Sequence, residues 1–218
     1  MLFVWYKVSF DEKWSHGSAV CETVYFFVEF VCVFPWKCVS LNNQNRGKIM
    51  DGILRKLPIG IQTFEKLREG DYLYVDKTAL VWRIASTETP YFLSRPRRFG
   101  KSLLLSTFEA YFEGKKELFE GLAIADMEKE WKKYPVLHLD LNAEKYDSPQ
   151  ALVEILSRQL TQWELKYGKG EDEETLSGRF AGVIRRACEQ SGRGVVVLVD
   201  EYDKPLLQAL GDDALLDD

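Results

Sequence analysis

An α/β fold on a mainly parallel sheet is what this sequence predicts, and three observations predict it. Apolar, branched runs at about 90–94, 135–141 and 194–199 read as strands, and segments of helical periodicity separate them. Strands alternating with helices call for right-handed crossovers, hence a parallel sheet. The third run, Val195-Val196-Val197-Leu198-Val199, is apolar throughout, as a strand covered on both faces must be, and ends in Asp200-Glu201. With 218 residues, 46% of them hydrophobic, the chain can bury a full core, and a net charge of −5 excludes a generally basic surface.

The first fifty residues differ in character. Tyr25 to Trp36 is dense in aromatic and β-branched residues, and Cys21, Cys32 and Cys38 lie here without C-x-x-C metal spacing. Glu22, Glu29, Pro35 and Lys37 keep the apolar stretch below the roughly 18 uninterrupted residues that a membrane span requires. Asp11 and Glu12 sit early and no small-residue cleavage site follows the apolar part, so a signal peptide does not fit. We expect residues 1–50 to be an atypical lead, upstream sequence translated from a misplaced start, and residues 51–218 to form the domain. Taken as protein, the lead would be an aggregation-prone, β-rich extension.

A helical unit follows. Phe64 to Glu69 suggests a short helix stopped at Gly70, Tyr72 to Val75 a short strand, and Thr78 to Ile84 a second helix that Asp76-Lys77-Thr78 can cap. Pro90 to Ser94 then makes one buried strand, and Leu103 through Tyr111-Phe112 carries helical periodicity up to Gly114.

Between that strand and helix lies Arg95-Pro96-Arg97-Arg98-Phe99-Gly100-Lys101-Ser102. There, successive backbone N–H groups and the positive helix end can face the β- and γ-phosphates of a nucleoside triphosphate. Lys101 can reach them as a point charge, and the Ser102 hydroxyl can ligate Mg²⁺. A Cβ at Gly100 would obstruct the approach of backbone to phosphate. The general G-x-x-x-x-G-K-[ST] pattern, the Walker A loop, wants glycine where Arg95 stands. The acidic strand end complements the loop as a Walker B motif: Asp200 is placed to hold Mg²⁺, and Glu201 to orient and deprotonate an attacking water. Arg95, Arg97 and Arg98 could bind phosphate, answer an acidic partner or contact nucleic acid.

Downstream, Gly114 to Gly121 reads as a helical turn, Met127 to Lys133 as another, and Val136 to Leu141 as a strand. His138 within it reads as a hydrogen-bonded core residue, since it lacks Cys or His partners at ligand spacing. Asp140 at the strand end is a secondary site candidate, because carboxyl ends of parallel strands face the ligand crevice. Ser148-Pro149 opens a long helix whose Leu152, Ile155, Leu156, Leu160 and Trp163 form a core stripe. Gly168 to Glu174 is a charged loop, and Leu176, Phe180, Val183, Ile184 and Ala187 mark the helix before the Asp-Glu strand. Cys188 reads as a buried thiol, and with no disulfide framework visible a reducing cytoplasm is the simplest compartment.

From Leu57-Pro58-Ile59-Gly60 through Phe64-Glu65-Lys66-Leu67-Arg68, Tyr74-Val75-Asp76-Lys77-Thr78, the Ser94–Ser102 loop, Leu137-His138-Leu139-Asp140 and Val199 to Leu206, the chain resembles the AAA-ATPase-like domain of bacterial and archaeal proteins. The Arg-Pro-Arg-Arg-Phe-Gly-Lys-Ser run is that family's form of the phosphate loop. The resemblance implies a three-layer P-loop NTPase that binds ATP with Mg²⁺ through Arg95, Pro96, Arg97, Arg98, Phe99, Gly100, Lys101, Ser102 and Leu103. Ser102 and Asp200 would hold the metal, while Lys101 and Glu201 would act in hydrolysis. The helical unit before the loop would lie over the nucleotide base.

Such domains are commonly followed by a nuclease-like domain of the PD-(D/E)XK type, an effector for which no sequence remains here. In the P-loop division a later strand lies between the loop strand and the Asp-Glu strand, and another lies beyond the loop strand. Neither has downstream sequence to form it, so we expect a fragment, incomplete at its C-terminus, that hydrolyses ATP slowly. A non-hydrolysing nucleotide-binding regulatory or interaction domain, and nucleic-acid binding through the basic loop, are the alternatives.

Overall fold

A computed structural model describes residues 2–8, 55–87, 90–94, 98–142, 149–171, 173–202 and 204. In chain order the elements are strand β1 (Leu2–Val8), helices α1 (Phe64–Glu69) and α2 (Thr78–Ala85), strand β2 (Tyr91–Ser94), helix α3 (Lys101–Phe112), a 3-10 turn (Lys116–Phe119), short helix α4 (Ala123–Met127), strand β3 (Val136–Asp140), helices α5 (Pro149–Tyr167) and α6 (Leu176–Ser191), and strand β4 (Val195–Asp200). The mixed α/β class and all three expected strands are present.

The sheet runs in the order β2-β1-β4-β3. β3 and β4 pair in parallel, Asp140 facing Asp200, whereas β1 is antiparallel to both its neighbours. The ladder therefore crosses the expected boundary at residue 50 and departs from a mainly parallel sheet at β1. The aromatic-rich 25–36 run and the three cysteines before residue 50 lie outside the described residues.

Helices cover both faces of the parallel pair, which is why β4 is buried at every position. Val195, Val197 and Val199 join Leu137 and Leu139 against α5 and α6, where the expected stripe of Ile155, Leu160 and Trp163 is buried and Leu152 and Leu156 pack beside it. Cys188 belongs to this cluster as a buried thiol. Val196 and Leu198 meet α3 on the opposite face, together with Phe64, Val81 and Phe119. The Thr175 hydroxyl caps α6 by accepting the Gly178 N–H at 3.1 Å, and the expected cap at Ser148 lies outside the described residues.

Two short elements differ from expectation. The helix expected over Met127 to Lys133 instead ends at Met127, because the Glu128 carboxylate accepts the Glu130 N–H at 2.8 Å and the Trp131 N–H at 3.4 Å and draws the chain into a turn. Tyr72 to Val75 contributes a single bridge, Tyr72 to Lys56. Asp76 does act as a cap: its two carboxylate oxygens accept the Thr78 N–H at 2.8 Å and the Ala123 N–H at 2.7 Å, joining the starts of α2 and α4.

Candidate functional site

β2 and β4 run in the same direction, each antiparallel to β1, so their carboxyl ends share one edge of the sheet. Adjacent β1 residues mark the level there: Leu2 pairs with Ser94 and Phe3 with Asp200. The chain leaving Ser94 enters α3 at Lys101, with Gly100 as N-cap in the left-handed region at φ 74°. Arg98, also left-handed at φ 66°, and Phe99 are exposed, whereas Arg95, Pro96 and Arg97 lie outside the described residues. Lys101 is 6% exposed, Ser102 and Leu103 half-buried. Among the described residues, no atom beyond its chain neighbours comes within 4 Å of where a Cβ at Gly100 would stand. What the described chain asks of Gly100 is thus the left-handed turn.

Asp200 and Glu201 are 6% and 7% exposed. Glu201 takes φ 58°, a conformation rare for a residue with a Cβ. The turns after β3 and β4 are tied together here: the Leu141 N–H donates to the Asp200 carbonyl at 3.1 Å, the Asn142 N–H to the Asp140 carboxylate at 2.8 Å, and the Lys204 ammonium to the Asn142 carbonyl at 2.6 Å. The Tyr202 ring lies 5.7 Å from Phe92 of β2, linking the acidic turn to the strand that feeds the loop. The structure thus brings Asp140, Asp200 and Glu201 together at the carboxyl ends of β3 and β4, while Lys101 and Ser102 open the helix that follows β2.

Beneath that edge, His138 Nδ1 lies 3.2 Å from Glu109 Oε2 of α3. Burial pulls the His138 pKa down, but the hydrogen bond and charge of Glu109, with Asp140 and Asp200 nearby, outweigh it and leave the pKa raised. The same hydrogen bond holds the Glu109 carboxyl below its ordinary value. His138 is hydrogen-bonded, as its sequence setting suggested. Glu109 is the residue that reasoning missed, although it stands seven positions after Ser102, the spacing of one helix face.

Among the described residues no group of three or more His, Cys, Asp or Glu could hold a metal by itself. Mg²⁺ on a nucleotide asks for less, one or two protein ligands beside phosphate oxygens and water, and a serine hydroxyl with a strand-end carboxylate is a donor set of that chemistry.

The family described as "Predicted AAA-ATPase" matches residues 58–218. The chain belongs to this family. Membership in the AAA-ATPase-like family suggests nucleotide binding. An uncharacterized protein in the vnfD 5′ region of Azotobacter chroococcum mcd 1 is 45% identical over 157 residues, which cover 72% of this chain and 30% of that protein. The chain therefore spans less than a third of this relative's length. No solved structure matches. Among the described residues, no helix is long and apolar enough to cross a membrane.

Proposed function

We propose that this chain is an ATP-binding and ATP-hydrolysing module of three-layer P-loop type. Arg95 to Leu103 wraps the phosphates, Lys101 neutralises charge on them, Ser102 and Asp200 hold Mg²⁺, and Glu201 orients and deprotonates the attacking water. The metal supplies charge neutralisation on the phosphates. The observation that carries this reading is the common edge at which β2 and β4 end on either side of β1. The chain leaving β2 enters α3 at Lys101, and β4 ends in the buried carboxylates Asp200 and Glu201, the two halves that a nucleotide phosphate with its metal calls for. The left-handed backbone at Glu201 adds support, because strain of this kind collects where a side chain must be aimed. The longer relative is consistent with hydrolysis driving an effector, a nuclease-like domain being the kind the family resemblance suggests.

Phosphate release by the purified chain tests the reading. We expect slow, Mg²⁺-dependent turnover that falls by about 100-fold or more in Glu201→Gln while ATP binding persists. Binding without turnover in the unaltered chain would leave a non-hydrolysing regulatory module instead. Turnover that survives Glu201→Gln would remove this residue from the role of base.

A further inference from the structure

α3 carries the candidate phosphate-binding lysine and metal-ligating serine, while the acids that would complete the site end β3 and β4. Something must set how closely the helix approaches the strands. Much of the packing between them is apolar: Leu105 and Phe108 of α3 share a buried cluster with Val196 and Leu198 of β4. Such contact is non-directional, whereas a hydrogen bond fixes a distance and an angle between two named atoms.

Glu109 and Ser102 are seven residues apart, about two turns, and so lie on one face of α3. His138 and Asp140 alternate onto one face of β3, and Asp140 is the register partner of Asp200. The 3.2 Å contact between Glu109 and His138 is thus a directional rung two helical turns below the place where Ser102 would meet Asp200. His138 Nε2 is buried and has no hydrogen-bond partner among the described residues, so the Nδ1 contact is the one that orients the ring there.

We infer that Glu109 and His138 are a positioning pair that sets the approach of Ser102 to Asp200, and with it the gain in nucleotide affinity that Mg²⁺ provides. The inference rests on the phosphate-loop reading above. It separates two contributions. Phosphate held by Lys101 and the loop depends on α3 and the segment before it, so losing the pair leaves that contribution alone. Metal shared between Ser102 and Asp200 spans helix and sheet, so losing the pair weakens it.

The test is equilibrium ATP binding, with Mg²⁺ and with EDTA, by the full chain and by Glu109→Ala, Glu109→Gln, His138→Ala and His138→Asn. We expect the alanine variants to keep the EDTA affinity and to lose about tenfold of the Mg²⁺ gain, the worth of one charge-assisted hydrogen bond. His138→Asn, which keeps a donor near the Nδ1 position, and Glu109→Gln, which keeps an acceptor, should recover most of it. The double alanine variant should be no worse than either single one. An unchanged Mg²⁺ gain, equal losses with and without the metal, or additive singles would overturn the pairing, equal losses being what a merely structural role produces. If the unaltered chain binds no ATP in either condition, the phosphate-loop reading fails and takes the inference with it, an outcome separate from failure of the pair alone.

Discussion

At Gly100 the backbone turns into α3 with φ 74°, and among the described residues no atom beyond its chain neighbours lies near the missing side chain. A methyl group there meets none of them, so the cost of Gly100→Ala is the conformational one, about 1 kcal/mol for a left-handed residue with a Cβ. Chemical denaturation of the purified variant should show a loss of that size, and a loss several times larger would mean that the loop packs where the structure leaves it open. Gly-Lys-Ser was legible because its residue types are chemically particular, and so was the acid pair at the end of an apolar strand. The left-handed turns at Arg98 and Glu201 were not, since neither residue type asks for that conformation. Glu109 was hidden for a related reason: its partner His138 lies 29 residues away, on another element.

Helices α5 and α6 are joined by polar contacts as well as by the core stripe. Arg179 donates to both carboxylate oxygens of Glu164, at 2.7 and 2.8 Å, and to the Ser157 hydroxyl at 2.7 Å. Arg186 holds Glu173, its second nitrogen at 2.9 Å from Oε2, and so pins the loop before α6. Hydrogen bonds from these guanidiniums hold both carboxyl groups below their ordinary range. A carboxyl depressed in the folded state adds stability that is present above its unfolded value, about 4.3 for glutamate, and is lost as pH falls through the folded value. Arg179→Ala should therefore cost about 2 kcal/mol near neutral pH, where hydrogen bonds to a charged group are lost, and the difference from the unaltered chain should shrink on acidification. Urea unfolding across that range measures it, and a deficit that stays constant into the acid would contradict the assignment. The stripe on α5 could be read from its 3.6-residue period, whereas the ion pair could not, because only the packing of two helices brings Glu164 to Arg179.

At the scale of the whole molecule, the sheet unites two stretches that the sequence set apart. Local pattern identified β2, β3 and β4 and called for a parallel sheet, which the β3–β4 pair forms. It did not identify β1 as a neighbour of β2 and β4, because strand partners are chosen by long-range pairing and register rather than by propensity. The family resemblance called for a strand between the loop strand and the Asp-Glu strand and found no downstream sequence for it, and Leu2–Val8 stands in that place, antiparallel. The common edge where β2 and β4 end is what the nucleotide reading requires of the fold. The most direct test of that reading is calorimetric titration of ATP with Mg²⁺ into the intact chain and into Lys101→Ala. Saturable binding at one site, weakened at least about tenfold when the buried ammonium is removed, is the predicted result. Absence of binding by the intact chain, or equal affinity in Lys101→Ala, would contradict it.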